Sequence, residues 1–233
     1  MIRKTMIWTV TSMCLVSISS VGQAGFDAAA YVDHESRVSH ARELLGKQYK
    51  RSVVRQGELV TNIDVFVKEK TLELLPERFK KHASALAKVI LEESSDREFD
   101  PVFLMSVIRT ESNFNPSAVG GVGEIGLMQL RPQTAKWIAK LSGIAYRDKK
   151  QLFDPVYNVR LGAAYFSMLR EKFNSRGGLY MAAYNMGAAN VKKALRADVT
   201  PVEYSSRIMG KYVKFYQELA AVKRTKKRMW AMR

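Results

Sequence analysis

The chain has 233 residues, with 38 Lys and Arg against 22 Asp and Glu, a formal net charge of +16, and one cysteine. That length suits one well-buried domain plus an appendage, and excludes three comfortable domains. The charge calls for an anionic partner, and the lone Cys14 excludes both a disulfide framework and a cysteine-ligated metal site.

The first segment reads as a targeting signal. Arg3 and Lys4 form a basic start, Thr5 to Val21 is an apolar run, and Gly22-Gln23-Ala24 supplies small residues for cleavage after Ala24. A membrane anchor is the competing reading, but the run is short and interrupted by Thr and Ser. Met13 before Cys14 is too bulky for a lipidation site, and no later stretch is apolar enough to span a bilayer. Export to the periplasm or beyond is therefore expected, with Cys14 removed.

Residues 25–95 read as a helical N-terminal extension. The stretches AAAYVDHESRVSHARELLGKQYKRS (28–52) and PERFKKHASALAKVILEES (76–94) place apolar residues at helical spacing, the second opening on Pro76. Between them GELVTNIDVFVKEK (57–70) reads as a short strand pair or a loop. From residue 96 to 218 the pattern is again helical. Pro101 opens a helix ending near Glu111, Gly120 to Gly126 forms a turn or small hairpin, and Pro132 opens a helix through Lys140. Pro155 opens a long helix to about Phe173, MAAYN and AANVKKAL form two short helices hinged at Gly187, and Pro201 begins a last helix running past Tyr216. Residues 219–233 form a basic tail: KRTKKRMWAMR (223–233) carries six basic residues and no acid, and its Met229 and Trp230 suit an anionic interface.

Glu111 is the most informative residue. It closes the apolar run VFLMSVIRTES (102–112) and is followed by NFNPSAVGG, which cannot continue a helix. A carboxyl with hydrophobic residues behind it and a turn in front is partly desolvated, which raises its pKa towards the range a general acid needs.

Four motifs follow in order: Glu111-Ser112, then GLMQ (126–129), then Asp154-Pro155 with Asn158-x-x-x-Gly162, then AYN-x-G (183–187). Together, from about Leu91 to Tyr216, they resemble the catalytic domain of the soluble lytic transglycosylases, glycoside hydrolase family 23, which share the goose-type lysozyme fold. The resemblance implies a mainly α, lysozyme-like domain. It also implies an enzyme that cleaves the MurNAc–GlcNAc β-1,4 bond of peptidoglycan and leaves 1,6-anhydro-muramoyl ends. In that family a single carboxyl is both acid and base, which assigns the role to Glu111. Ser112 is then expected to support the Glu111 turn, and Met128 to pack under the cleft with its backbone towards the sugar. Gln129, otherwise a helix-start cap, is expected to bind sugar. Tyr184, otherwise a core aromatic, would line the saccharide site, Asn185 would contact an acetamido group, and Tyr204 would hydrogen-bond Glu111.

No cofactor or metal is expected: His34, His40 and His82 lie outside the motif region without ligand spacing. The expected partners are glycan strands, an anionic wall or membrane surface met by the basic tail, and a secretion or wall-remodelling assembly; nucleic acid is not among them. The chain departs from the family in one place, with Glu124 and Ile125 where relatives have small residues before GLMQ. Glu124 is expected to be a solvated loop residue. If instead it or Asp154 served as a second carboxylate, the reaction would turn to hydrolysis with reducing ends. A non-catalytic wall-binding or assembly protein is the remaining alternative.

Overall fold

The computed structural model describes residues 33–57 and 62–231, so the expected signal at 1–24 lies outside the described residues. Short polar residues and prolines start several of the helices. Asp33 caps α1 (His34–Leu45) by accepting the Ser36 N–H at 2.8 Å. Asp100 accepts the Val102 N–H at 2.9 Å and, with Pro101 behind it, opens α5 (Pro101–Glu111). Asp154 does the same at 2.8 Å from Tyr157 for α7 (Pro155–Lys172). Such caps satisfy N–H groups that a helix start leaves unpaired.

The segment expected as a strand pair or loop at 57–70 contains instead most of α3 (Ile63–Leu74). Its β-branched residues favour strand locally, but Ile63, Phe66, Val67 and Thr71 recur at helical spacing and are all buried, so packing overrides propensity. The remaining elements are α2 (Val53–Gly57), α4 (Ala83–Asp96), α6 (Pro132–Leu141), α8 (Gly177–Met186), α9 (Ala188–Arg196) and α10 (Glu203–Ala231). Pro76 leads into a 3-10 turn at Glu77–His82 before α4 begins. The last helix passes unbroken through the boundary expected at 218/219. Among the described residues, extended pairing is confined to two single bridges, from Ile125 to Val119 and to Leu130.

Helix α5 is the axis of the fold. Pro101 to Ile108 are all buried, so α5 is enclosed on every side, with α4 and α10 against it. The N-terminal helices belong to the same core. Val38 and Ala41 of α1 and Leu86, Ala87, Ile90 and Leu91 of α4 cluster with Phe103, Phe166 and Tyr180. A buried polar knot ties them down. Asp100 accepts from the hydroxyls of Tyr212 at 2.6 Å and Tyr216 at 2.5 Å, and Arg37 of α1 reaches Tyr216. His40 Nδ1 accepts the Asp100 N–H at 2.9 Å, so the ring proton sits on Nε2 and faces the Tyr180 hydroxyl, also at 2.9 Å.

A second, smaller core holds Ile125, Leu130, Ile138, Leu152 and Leu161. Tyr165 and Tyr184 pack against both cores. The chain is therefore two lobes of unequal size with aromatic side chains at their seam.

Candidate active site

A cleft of about 570 Å³ opens at that seam, lined by Glu111, Glu124, Gln129, Arg131, Thr134, Tyr165, Tyr184, Asn185 and Asn190 among others. Glu111 enters it from the last turn of α5, half-buried, with the Tyr204 hydroxyl of α10 donating to its Oε1. Burial raises the pKa of Glu111 above that of an ordinary glutamate. The Tyr204 bond and the Arg207 charge pull the other way without cancelling it, and Glu124 adds to the rise. Burial, reinforced by the neighbouring Glu111 charge, pushes the Tyr204 phenol well above its usual range, so it stays protonated and able to donate.

The motif spacing has a physical cause in how α7 holds the GLMQ turn. Asn158 and Gly162 lie one turn apart on α7, facing that turn. The buried Asn158 amide accepts the Met128 N–H at 2.7 Å and donates to the carbonyls of Ile125 and Leu152, each at 2.9 Å. A side chain on Gly126, where φ is +82°, would collide with Asn158 and the Leu152 carbonyl. A side chain on Gly162 would displace Met128. From the other side Ser112 Oγ donates to the Leu127 carbonyl at 2.8 Å, which ties the end of α5 to the same turn.

The seven expected site residues thus separate into two groups. Glu111, Gln129, Tyr184 and Asn185 line the cleft. Ser112, Met128 and Tyr204 stand behind its wall: Met128 and Tyr204 are buried and Ser112 half-buried. The backbone of Met128 is already engaged, its N–H by Asn158 and its carbonyl by the Tyr184 hydroxyl at 2.8 Å. Tyr184 is fixed further by stacking on Phe166, with centroids 4.0 Å apart. Gln129 sits at φ +47°, a costly conformation for a non-glycine residue. Its Nε2 donates to the carbonyls of Gly126 at 2.8 Å and Ala118 at 3.2 Å, which leaves its amide oxygen as the acceptor presented to the cleft.

Two acidic residues differ from or limit the sequence reading. Glu124 is not a freely solvated loop residue. It lines the cleft, its Oε1 is 2.9 Å from Arg131 Nε, and its Oε2 accepts the Val122 N–H at 3.2 Å. Burial acts to raise its pKa, but its own N–H, Arg131 and the Val122 N–H together hold it below the ordinary value. Asp154 is occupied as the α7 cap and does not line the cleft. Sequence reasoning missed Tyr165, Thr134, Arg131 and Asn190. Tyr165 lies three residues after Gly162 on the face of α7 turned to the GLMQ loop, and that spacing could have found it. Among the described residues no group of three or more metal-ligating side chains occurs.

A profile of the transglycosylase SLT domain matches residues 88–204, half of the chain. The chain belongs to the transglycosylase SLT domain family. The SLT match begins inside α4 and ends at Tyr204, so it takes in every cleft residue described above. The chain is similar to the membrane-bound lytic murein transglycosylase C of Yersinia enterocolitica, 30% identical over 137 residues, covering 55% of this chain and 38% of that one. It is also similar to the protein of the same name from Histophilus somni, 35% identical over 108 residues, covering 42% of this chain and 30% of that one. The chain therefore spans well under half the length of these relatives.

Among solved structures, the SLT chain resembles the lytic transglycosylase Slt of Pseudomonas aeruginosa, with a TM-score of 0.53 and 22% identity over 84% of this chain and 39% of that one. The 70 kDa soluble lytic transglycosylase of Escherichia coli gives a TM-score of 0.53 and 21% identity over 78% of this chain and 33% of that one. These likenesses show the mainly α, lysozyme-like fold.

Proposed function

We propose that the chain is a peptidoglycan lytic transglycosylase that breaks the MurNAc–GlcNAc β-1,4 bond and leaves 1,6-anhydro-muramoyl ends. The observation that carries this reading is Glu111: a half-buried carboxyl of raised pKa, held by Tyr204 and opening into a cleft that Gln129 and Asn185 furnish with amides. Relatives named lytic murein transglycosylases support the substrate class.

Protonated Glu111 gives its proton to the glycosidic oxygen as the C1–O bond breaks, and the departing sugar leaves with a free hydroxyl. The substrate's own acetamido group stabilises the positive charge that develops at C1, and Asn185 and the Gln129 oxygen orient the sugars. Glu111, now a carboxylate, takes the proton from the C6 hydroxyl of the same muramoyl ring. The C6 oxygen closes on C1, the anhydro bond forms, and Glu111 is protonated again. No water enters, so no second carboxylate is required to position one.

Export, with cleavage near Ala24, is part of the proposal because murein lies outside the cytoplasmic membrane and the relatives carry membrane-bound in their names. The net charge of +16 and the basic residues of 223–233 support a wall or membrane surface as a further partner. A secretion or wall-remodelling assembly is the corresponding macromolecular setting.

A second reading rests on Glu124, which shares the cleft with Glu111 and whose pKa its own N–H, Arg131 and the Val122 N–H hold below the ordinary value. If Glu124 positioned a water, the products would have reducing ends. The deciding experiment incubates the full chain with purified peptidoglycan and weighs the released muropeptides. Anhydro ends are one water lighter than reducing ends. Reducing ends would move the assignment to a hydrolase, and no release from folded protein would sink both enzymatic readings.

A further inference from the structure

Two concavities along α10 run into each other. One, of about 590 Å³, lies between α10 and the end of α1, and Leu44, Leu45, Met209 and Val213 give it an apolar wall. The other, of about 430 Å³, lies between α10 and the end of α5, with Arg109 and Thr110 on one wall and Arg207, Lys211 and Lys214 on the other. Ser206, Gly210 and Lys214 line both. Together they form one groove, apolar on one flank and cationic on the other. Among the described residues no acidic side chain lines it.

Helix register explains the division. At about 100° per residue, Met209 and Val213 fall to one side of the row Ser206, Gly210 and Gln217, while Arg207, Lys211 and Lys214 fall to the other. Gly210 forms the floor. A glycine inside a helix is less favourable than alanine, because it loses more backbone freedom on folding. Internal packing requires Gly126 and Gly162, but a Cβ at Gly210 would meet nothing within 4 Å. The packing of this chain gives no reason for a glycine there; close approach of another backbone does.

We propose that this groove docks an amphipathic helix of a partner protein, with acidic residues along one side and apolar residues along the adjacent side. Charge sets the sign: Arg109, Arg207, Lys211 and Lys214 repel one another, and carboxylates relieve that repulsion. A second copy of this chain, at a net charge of +16, brings the opposite of what the groove needs. Shape favours a rod over a plane. Leu44, Leu45, Met209 and Val213 are half-buried in the side of the groove, so a flat bilayer would meet the cations and miss the apolar flank. From Ser206 to Gln217 α10 rises roughly 16 Å, room for about three turns of a docked helix. The groove shares no lining residue with the cleft, so the proposal stands apart from the transglycosylase reading.

The test selects binders to the full chain from a displayed library of helical peptides about four turns long, randomised on one face. The affinity of the enriched peptide is then read by fluorescence anisotropy. The expected sequences carry Asp or Glu beside an apolar row, and their Kd should weaken at least about tenfold in both Gly210→Leu and K211E/K214E. Gly210 is exposed and leucine favours helix, so Gly210→Leu should melt no lower than the parent. If it does not fold, K211E/K214E carries the same comparison. Enriched peptides without acids, or peptides that bind the variants as tightly as the parent, overturn the proposal. Failure to enrich any peptide on the parent over K211E/K214E overturns it too. If adsorption to phosphatidylglycerol vesicles is then lost in K211E/K214E, the cations belong to a membrane surface instead.

Discussion

Glu111 is hard to ionise because α5 leaves it among apolar neighbours, and it is kept within working range because Tyr204 donates to it. In the proposed reaction, removing its acidity removes the proton that the leaving oxygen needs. Glu111→Gln should therefore lower release of anhydro-muropeptides at least about a hundredfold, the usual worth of a general acid; substantial residual lysis would refute the assignment. The same substitution has a stability signature. The folded pKa of Glu111 lies above its unfolded value, so the unfolded chain gives up the proton more readily and stability falls as pH rises through the carboxyl range. Glu111→Gln should accordingly melt higher than the parent near pH 7.5, and the gap should close below the ordinary glutamate range, both read by calorimetry across pH. Tyr204→Phe removes a bond that favours the carboxylate. The alkaline limb of the pH–rate profile should then move up, and activity at neutral pH should fall about tenfold, the range for a hydrogen bond to a charged group. Glu124 is paired with Arg131 and needed by no step of ring closure, so Glu124→Gln should keep at least about a tenth of the activity, since an exposed ion pair contributes little. A fall in line with that of Glu111→Gln would favour hydrolysis.

At the level of elements, the cleft depends on α7 gripping a turn that would not hold itself. Gly126 and Gln129 both sit at positive φ, and the Met128 N–H and the Leu152 carbonyl find their partner in one amide, that of Asn158, which also donates to the Ile125 carbonyl. Asn158→Ala leaves the Met128 N–H and the Leu152 carbonyl without that partner, while the Ile125 carbonyl keeps the Leu130 N–H, at a cost of about 3 kcal/mol. For a chain of this size that is a fall in Tm of roughly 10 °C. The activity that survives at a temperature where the variant is folded should fall further than the folded fraction, because Tyr184 is anchored to the Met128 carbonyl of the same turn. Normal kcat in folded Asn158→Ala would show that the turn does not position the cleft. The prolines and Asx caps that begin α5 and α7 are local devices, legible in the residues themselves. Helix α3 is not legible in that way, because its β-branched run speaks for strand until Ile63, Phe66 and Val67 are seen to bury one helical face.

For the whole molecule, the N-terminal helices and the cleft share one core, so they should unfold together. His40 gives a handle on that coupling. Burial, aided by the nearby Arg170 charge, lowers its pKa well below 6.5 in the folded chain, whereas the unfolded chain takes a proton there. Its contribution is therefore complete above pH 6.5 and is lost as pH falls through that value, because the unfolded state binds the extra proton. A single melting transition whose midpoint drops below pH 6.5, with the drop reduced in His40→Gln, is the expected calorimetric result; two separate transitions would break the single-core description. The helices with caps and period, the order of the four motifs, and Glu111 as the candidate acid are all readable along the chain, since each is written in neighbouring residues or in a short fixed spacing. Packing in three dimensions is what puts Met128 and Tyr204 behind the cleft wall, turns Glu124 to the cleft beside Arg131, and draws α1 into the core. Packing also gathers Arg109 with Lys211 and Lys214. Those relations join residues up to 179 positions apart, as Arg37 and Tyr216 are, and contact between distant helices has no signature in local spacing.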